Sequence, residues 1–210
     1  MIIVHHLNDS RSQRILWLCE ELGVEYSVAA YSRDAATRLA PPELKAVHPL
    51  GKSPVIEDGA LRLAESGAIV DYLIRTYGNG RLMPAAGSRA HEIYLEWLHY
   101  AEGSAMLPFL LKLYTGRLGA AAAPLAPRIA EQIGSQLDFF AAELGDRDWL
   151  IDDTLSGVDI MMSFVAEIAA AQGEGATRPT LLAYVQRVQA RPTWLAAAAK
   201  SAAYSFRLPV

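Results

Sequence analysis

The spacing of apolar residues changes along the chain, and the change divides it. The opening run "IIVHHL" (2–7) reads as a strand. Residues 13–22 place Ile15, Leu18, Cys19 and Leu22 on one face at helical spacing. "EYSVAAY" (25–31) reads as a second strand, and "PPELKAV" (41–47) as one or two helical turns. "SPVIEDGALRLA" (53–64) has two short apolar runs around Asp-Gly, the pattern of a hairpin. From Glu65 to Tyr77, Ile69, Tyr72, Leu73 and Tyr77 recur at helical spacing, with Gly78 as the stop. The order β-α-β-α-β-β-α predicts a mixed sheet of four strands with helices on its faces. Its first pair is parallel, because it needs a crossover, and its Asp-Gly pair is antiparallel.

The pattern then becomes helical throughout. "GNGRLMPAAGS" is rich in Gly and Pro and predicts a linker, residues 79–88, between a first domain (1–78) and a second (89–210). The second domain reads as two long helices, 89–118 and 125–145. Three more come after them at 156–172, 180–190 and 192–200, with Pro179 and Pro192 in first turns. Ser156 and Asp159 form a capping-box pattern at the start of the third.

Composition narrows the function. The 210 residues are 52% hydrophobic, enough for a sizeable core. The formal charge of −4 gives no basic field, so nucleic acid and anionic membrane are not expected partners. One cysteine excludes an internal disulfide and fits a reducing, cytoplasmic setting. No signal peptide and no membrane-spanning run are expected. Cys19 reads as a core residue, and the five histidines lack metal-ligand spacing, so no metal is expected. His5 and His6, adjacent on a strand, should point to opposite sides.

Three stretches carry a resemblance. "HPLGKSPVIEDG" (48–59), "LAESGAIVDYL" (63–73) and "DRDWLIDDTLSGVDIMM" (146–162) are similar to segments of the cytosolic glutathione transferases. Their combination resembles that family over nearly the whole chain. The first helix resembles the bacterial and fungal branch with a Ser-Arg segment at its start. The resemblance implies a thioredoxin-like domain followed by an all-helical one. It also implies a homodimer and a detoxification enzyme that joins the glutathione thiolate to small, largely apolar electrophiles. Two other functions stay open on the same scaffold. One is a non-catalytic ligand- or protein-binding member; the other is a glutathione-dependent peroxidase, dehalogenase or isomerase.

Glutathione has two carboxylates, an ammonium and a thiol. By resemblance, Ser66 at a helix N-terminus would hold the γ-glutamyl carboxylate, where free N–H groups favour an anion. Glu65 would meet the ammonium. A cis bond before Pro54 would turn the Ser53 backbone toward the cysteinyl residue; the family usually has Val where Ser53 stands. Lys52 is the candidate for the glycyl carboxylate, with His48 second. No cysteine precedes the first helix, which disfavours disulfide chemistry. In Ser-type glutathione transferases a hydroxyl donates to the sulfur, and many carry Ser-x-x-x-Arg here; Ser10 and Arg14 fit that spacing, so the resemblance makes Ser10 the candidate donor to the thiol. Ser12, Arg11 and Asn8 are its alternatives. Ser10 and Gln13 also form a capping-box pattern, which would turn Ser10 away from the thiol. Met106, Phe109, Leu110 and Tyr114 are the candidate wall for the electrophile, or else part of the helical core. Pro108 is expected to kink that helix.

Overall fold

A computed structural model describes residues 1–201 and 204–209. The first domain has the element order expected. It comprises β1 (Ile2–Leu7), α1 (Ser12–Leu22), β2 (Tyr26–Tyr31), α2 (Leu44–Val47), β3 (Val55–Asp58), β4 (Leu61–Ala64) and α3 (Ser66–Tyr77). The sheet order is β2-β1-β3-β4. β1 and β2 run parallel, and β3 is antiparallel to both β1 and β4. This is a thioredoxin-like sheet. Its register aligns the ends of three strands: His5 pairs with Val55, and Val55 pairs with Ala64. β1 ends just past this row at Leu7, and Pro54 and Glu65 leave the sheet at the same end. That end is the carboxyl end of β1, where open α/β sheets bind ligands.

The second domain is helical: α4 (Arg89–Tyr100), α5 (Leu107–Thr115), α6 (Ala126–Leu144), α7 (Gly157–Ala171), α8 (Pro179–Ala190) and α9 (Pro192–Lys200). The expected single helix over 89–118 is not one helix. A π-helical turn, Ala101–Ala105, separates α4 from α5, and a 3₁₀ stretch, Gly116–Ala122, comes after α5. Gly103 weakens the first helix, and Pro108 can only enter a new first turn because it has no N–H to donate. The break falls before Pro108 rather than at it. The capping box at Ser156 is complete: the Ser156 hydroxyl accepts from the Val158 N–H, and Asp159 accepts from the Ser156 N–H at 2.9 Å.

One apolar cluster serves both halves. It runs from Ile2 and Val4 through Ile15, Trp17 and Leu18 to Met161, Val165 and Trp194. α1 lies at its centre, packed against α3, α7 and α9 as well as the sheet. All of Ser12–Cys19 is consequently buried. Cys19 is a core residue, as expected, and burial pushes its thiol up to about 12. No described helix is long and apolar enough to cross a membrane.

Candidate functional site

Two loops meet at the end of β1, and one N–H joins them. The Leu7 N–H donates to the hydroxyls of both Ser12 and Ser53, at 3.2 Å each. The Ser53 hydroxyl donates in turn to the His5 carbonyl at 2.8 Å. Ser53 therefore ties the Pro54 loop to β1. The Ser53–Pro54 bond is cis.

The start of α1 differs from the capping-box expectation. The Gln13 N–H bonds to the Ser10 carbonyl, not to its hydroxyl. The Ser10 hydroxyl accepts from the Ser12 N–H at 3.2 Å and lies 2.7 Å from the Ser12 hydroxyl. Turn geometry explains this, since a serine Oγ reaches the N–H two residues on when Arg11 is already in helical conformation. Ser12 has no exposure at all. Its hydroxyl also lies 2.9 Å from His6 Nδ1 and 3.3 Å from the Leu7 carbonyl. His5 and His6 do face different partners. His5 Nδ1 lies 3.0 Å from the Tyr31 hydroxyl and Nε2 3.5 Å from Glu57, whereas His6 meets Ser12.

The remaining candidates for the thiol are engaged elsewhere. Asn8 accepts from the Arg33 N–H at 2.7 Å. Arg11 donates to Glu102 at 2.7 Å, across the domain boundary. Arg14 is buried; it also pairs with Glu102, donates to the Met161 carbonyl at 2.6 Å, and stacks over Phe164 at 5.5 Å. Burial alone would push the Glu102 carboxyl up, but the two guanidiniums overcome it and hold it below the usual range.

At the head of α3, Glu65 sits at φ 69°, ψ 119°, an unusual place for a residue with a side chain. Among the described residues, no side chain caps α3. Ser66 is buried and occupies the first helical position, so it does not cap the helix. The first-turn N–H groups thus have no side-chain acceptor there and are available to an anion. Lys52 is exposed and His48 half-buried; His48 Nδ1 accepts from the Leu50 N–H at 3.4 Å.

The four residues expected to wall the electrophile pocket do not behave alike. Met106 and Phe109 are 2% and 3% exposed and lie within the core cluster, which leaves them little surface for a ligand. Leu110 is half-buried and Tyr114 exposed. Among the described residues, no group of three His, Cys, Asp or Glu side chains could hold a metal ion. Sequence reading missed His6 and Glu102. For His6 the available signal was its place on the inward side of β1, within a short loop of Ser12.

Residues 1–75 match the family described as "Glutathione S-transferase, N-terminal domain", and residues 96–192 match its C-terminal domain. Glutathione S-transferase 1 of Saccharomyces cerevisiae is 34% identical over 190 residues, covering 80% of this chain and 81% of the yeast protein. Glutathione S-transferase 3 of Schizosaccharomyces pombe is 31% identical, covering 82% and 75%. A crystal structure of a glutathione S-transferase from Actinobacillus pleuropneumoniae superposes with TM-score 0.89 at 34% identity, covering 96% of this chain and 93% of that one. With these relatives on the same fold, the chain belongs to the glutathione S-transferase family and is an enzyme of that class.

The burial of His6 has a consequence for stability. Desolvation pushes its imidazole down to about 4, against a weaker opposing pull from Asp9. The unfolded chain takes a proton near pH 6.5 and the folded one only near 4. The fold is favoured above pH 6.5, and that advantage drains away as pH falls from 6.5 to 4. The loss is about 3 kcal/mol at pH 4. Asp159 and Glu167, whose carboxyls burial raises to about 6 and 7, act in the opposite sense. A comparison with His6→Asn cancels them. Urea titrations at pH 7 and pH 4 should show the wild type losing about 3 kcal/mol more than the variant. Equal losses would remove His6 from the acid response.

Proposed function

We propose that the chain binds glutathione at the carboxyl end of β1 and conjugates its thiolate to small, largely apolar electrophiles. One observation carries this reading. The uncapped head of α3, the Pro54 loop and Ser10 all leave the sheet at the same end. The free N–H groups of α3 and the Ser66 hydroxyl suit the γ-glutamyl carboxylate, and Glu65 suits the ammonium. The Ser53 backbone suits pairing with the cysteinyl residue, as an added strand would. Lys52, with His48 second, suits the glycyl carboxylate. The structure of a sphingomonad glutathione S-transferase of the same fold, 24% identical, is of its complex with glutathione.

Ser10 is the proposed donor to the sulfur. Ser12 has its hydroxyl surrounded by partners, and Asn8 and Arg11 are held by Arg33 and Glu102. The hydroxyl acts as a donor rather than a nucleophile, stabilising thiolate over thiol. One pKa unit needs only about 1.4 kcal/mol, within reach of a charge-assisted hydrogen bond. Proximity supplies the rest of the rate. The electrophile would approach along α5, past Leu110 and Tyr114. Cytoplasmic location, a homodimer and membership of the bacterial and fungal Ser-Arg branch complete the proposal.

Calorimetry with glutathione should show binding, and a chloronitrobenzene electrophile should be turned over. Ser10→Ala should raise the pKa of the bound thiol by about one unit and lower turnover at neutral pH about tenfold. No glutathione binding, together with no turnover of several electrophiles, overturns the reading. A thiol pKa unmoved by Ser10→Ala removes Ser10 from it.

A further inference from the structure

We infer that His6 and Ser12 form a positioning relay that holds the Ser10 hydroxyl with its proton directed outward, as a donor. The inference rests on the reading that Ser10 meets the glutathione sulfur. Neither His6 nor Ser12 touches the substrate in it.

The three side chains form a line. His6 Nδ1 lies 2.9 Å from the Ser12 oxygen, and the Ser12 oxygen lies 2.7 Å from that of Ser10. His6 and Ser12 are 1% and 0% exposed, and Ser10, at 5%, is the outermost of the three. Such a line of hydroxyls can run in two directions. In the inward direction, Ser10 donates to Ser12 and Ser12 donates to His6. Ser10 would then present only lone pairs outward, and these repel a thiolate. In the outward direction, His6 donates from Nδ1–H to Ser12, Ser12 donates to Ser10, and the Ser10 proton remains for the ligand.

One observation selects the outward direction. His6 Nε2 is buried with no partner among the described residues. The inward chain needs the ring proton on Nε2, which leaves an orphaned N–H donor inside the protein. The outward chain leaves only a bare lone pair there, a lesser cost. With His6 as the first donor, the hydrogen bonds then run consistently along the line. Ser12 Oγ accepts from the Leu7 N–H and, in this direction, from His6 Nδ1–H, so both its lone pairs are filled and its own proton goes elsewhere. Ser10 at 2.7 Å is a closer acceptor than the Leu7 carbonyl at 3.3 Å. Ser10 Oγ then accepts from both the Ser12 hydroxyl and the Ser12 N–H. Its lone pairs are filled in turn, and the proton is all it has left to offer. Each donor in the line also polarises the next, which strengthens the last. No proton is transferred; the relay sets orientation only.

The pKa of the bound glutathione thiol, read from thiolate absorbance, tests the relay. S-methylglutathione, which has no thiol to ionise, reports whether the pocket remains intact. His6→Leu should raise the thiol pKa by about one unit while S-methylglutathione affinity stays within about twofold. His6→Asn keeps an N–H donor where Nδ1 stood and should stay near the wild type. In a Ser12→Ala background, His6→Leu should add no further shift, because its effect passes through the missing hydroxyl. Ser12→Ala alone deletes a single oxygen, so it carries the test if His6→Leu does not fold. It should raise the thiol pKa with S-methylglutathione binding retained. The relay is overturned if Ser10→Ala shifts the thiol pKa but folded His6→Leu or Ser12→Ala does not. It is also overturned if Asn and Leu at position 6 shift it equally, or if the His6→Leu shift persists undiminished in Ser12→Ala. If Ser10→Ala itself leaves the pKa unmoved, the assignment of Ser10 fails first and the relay with it.

Discussion

Glu102→Ala is expected to destabilise the fold by about 3 kcal/mol, the lower end of the cost of orphaning a buried charge. The Arg14 guanidinium is 1% exposed on a central helix. Its partners are Glu102, the Met161 carbonyl and the face of Phe164. Its Nε already has none among the described residues. Without Glu102, the charge keeps one carbonyl and one ring. Arg11, which shares the same carboxylate, becomes an unscreened like charge nearby. Glu102→Gln keeps an acceptor oxygen and should lose about half as much. Arg11→Ala removes a partly exposed cation and should cost less than about 1 kcal/mol. Urea midpoints measure all three. If Glu102→Ala stayed within about 1 kcal/mol of wild type, the ion pair would not hold the domains together.

Asp159→Ala should cost about as much, roughly 3 to 4 kcal/mol, by a different route. Asp159 is fully buried and accepts from the N–H groups of Ser156 (2.9 Å) and Leu150 (3.2 Å) and from the Ser156 and Tyr184 hydroxyls. Alanine orphans two backbone donors inside the protein and removes half the capping box. Asp159→Asn keeps the shape but turns an NH₂ toward donors on one side, so it should fall between. Trp149 packs edge-on to Tyr184 at 6.1 Å and offers a fluorescence probe beside the lesion. A loss below about 1 kcal/mol for Asp159→Ala would mean that water takes over those donors.

How much of the fold and site was legible in the sequence depended on how local the cause was. The strands, α1, the Asp-Gly hairpin and the Ser156 capping box come from spacing within a dozen residues, and all appear as expected. The break between α4 and α5 has a local signal, Gly103 and Pro108, but the register at which a helix restarts is decided by packing. The Ser10–Gln13 capping-box pattern does not become a capping box, because two turn geometries share one sequence pattern. The backbone of Arg11 selects the bond to the Ser12 N–H. The Arg14–Glu102 pair spans 88 residues, and the burial of Met106 and Phe109 depends on what covers α5. No spacing rule reaches that far.

The shared core bears on how such an enzyme can diversify. In the thioredoxin-like half, the outer side of α1 is built to be covered: Trp17 donates to Glu21 at 2.9 Å and to Thr193 at 3.3 Å, and Glu21 also pairs with Arg191. The helical half is thus not an interchangeable attachment. A graft of residues 89–210 from a relative would have to bring a carboxylate for Arg14, a cation for Glu21 and a hydroxyl beside Trp17. Recombination between family members is therefore constrained by cross-boundary partners such as these.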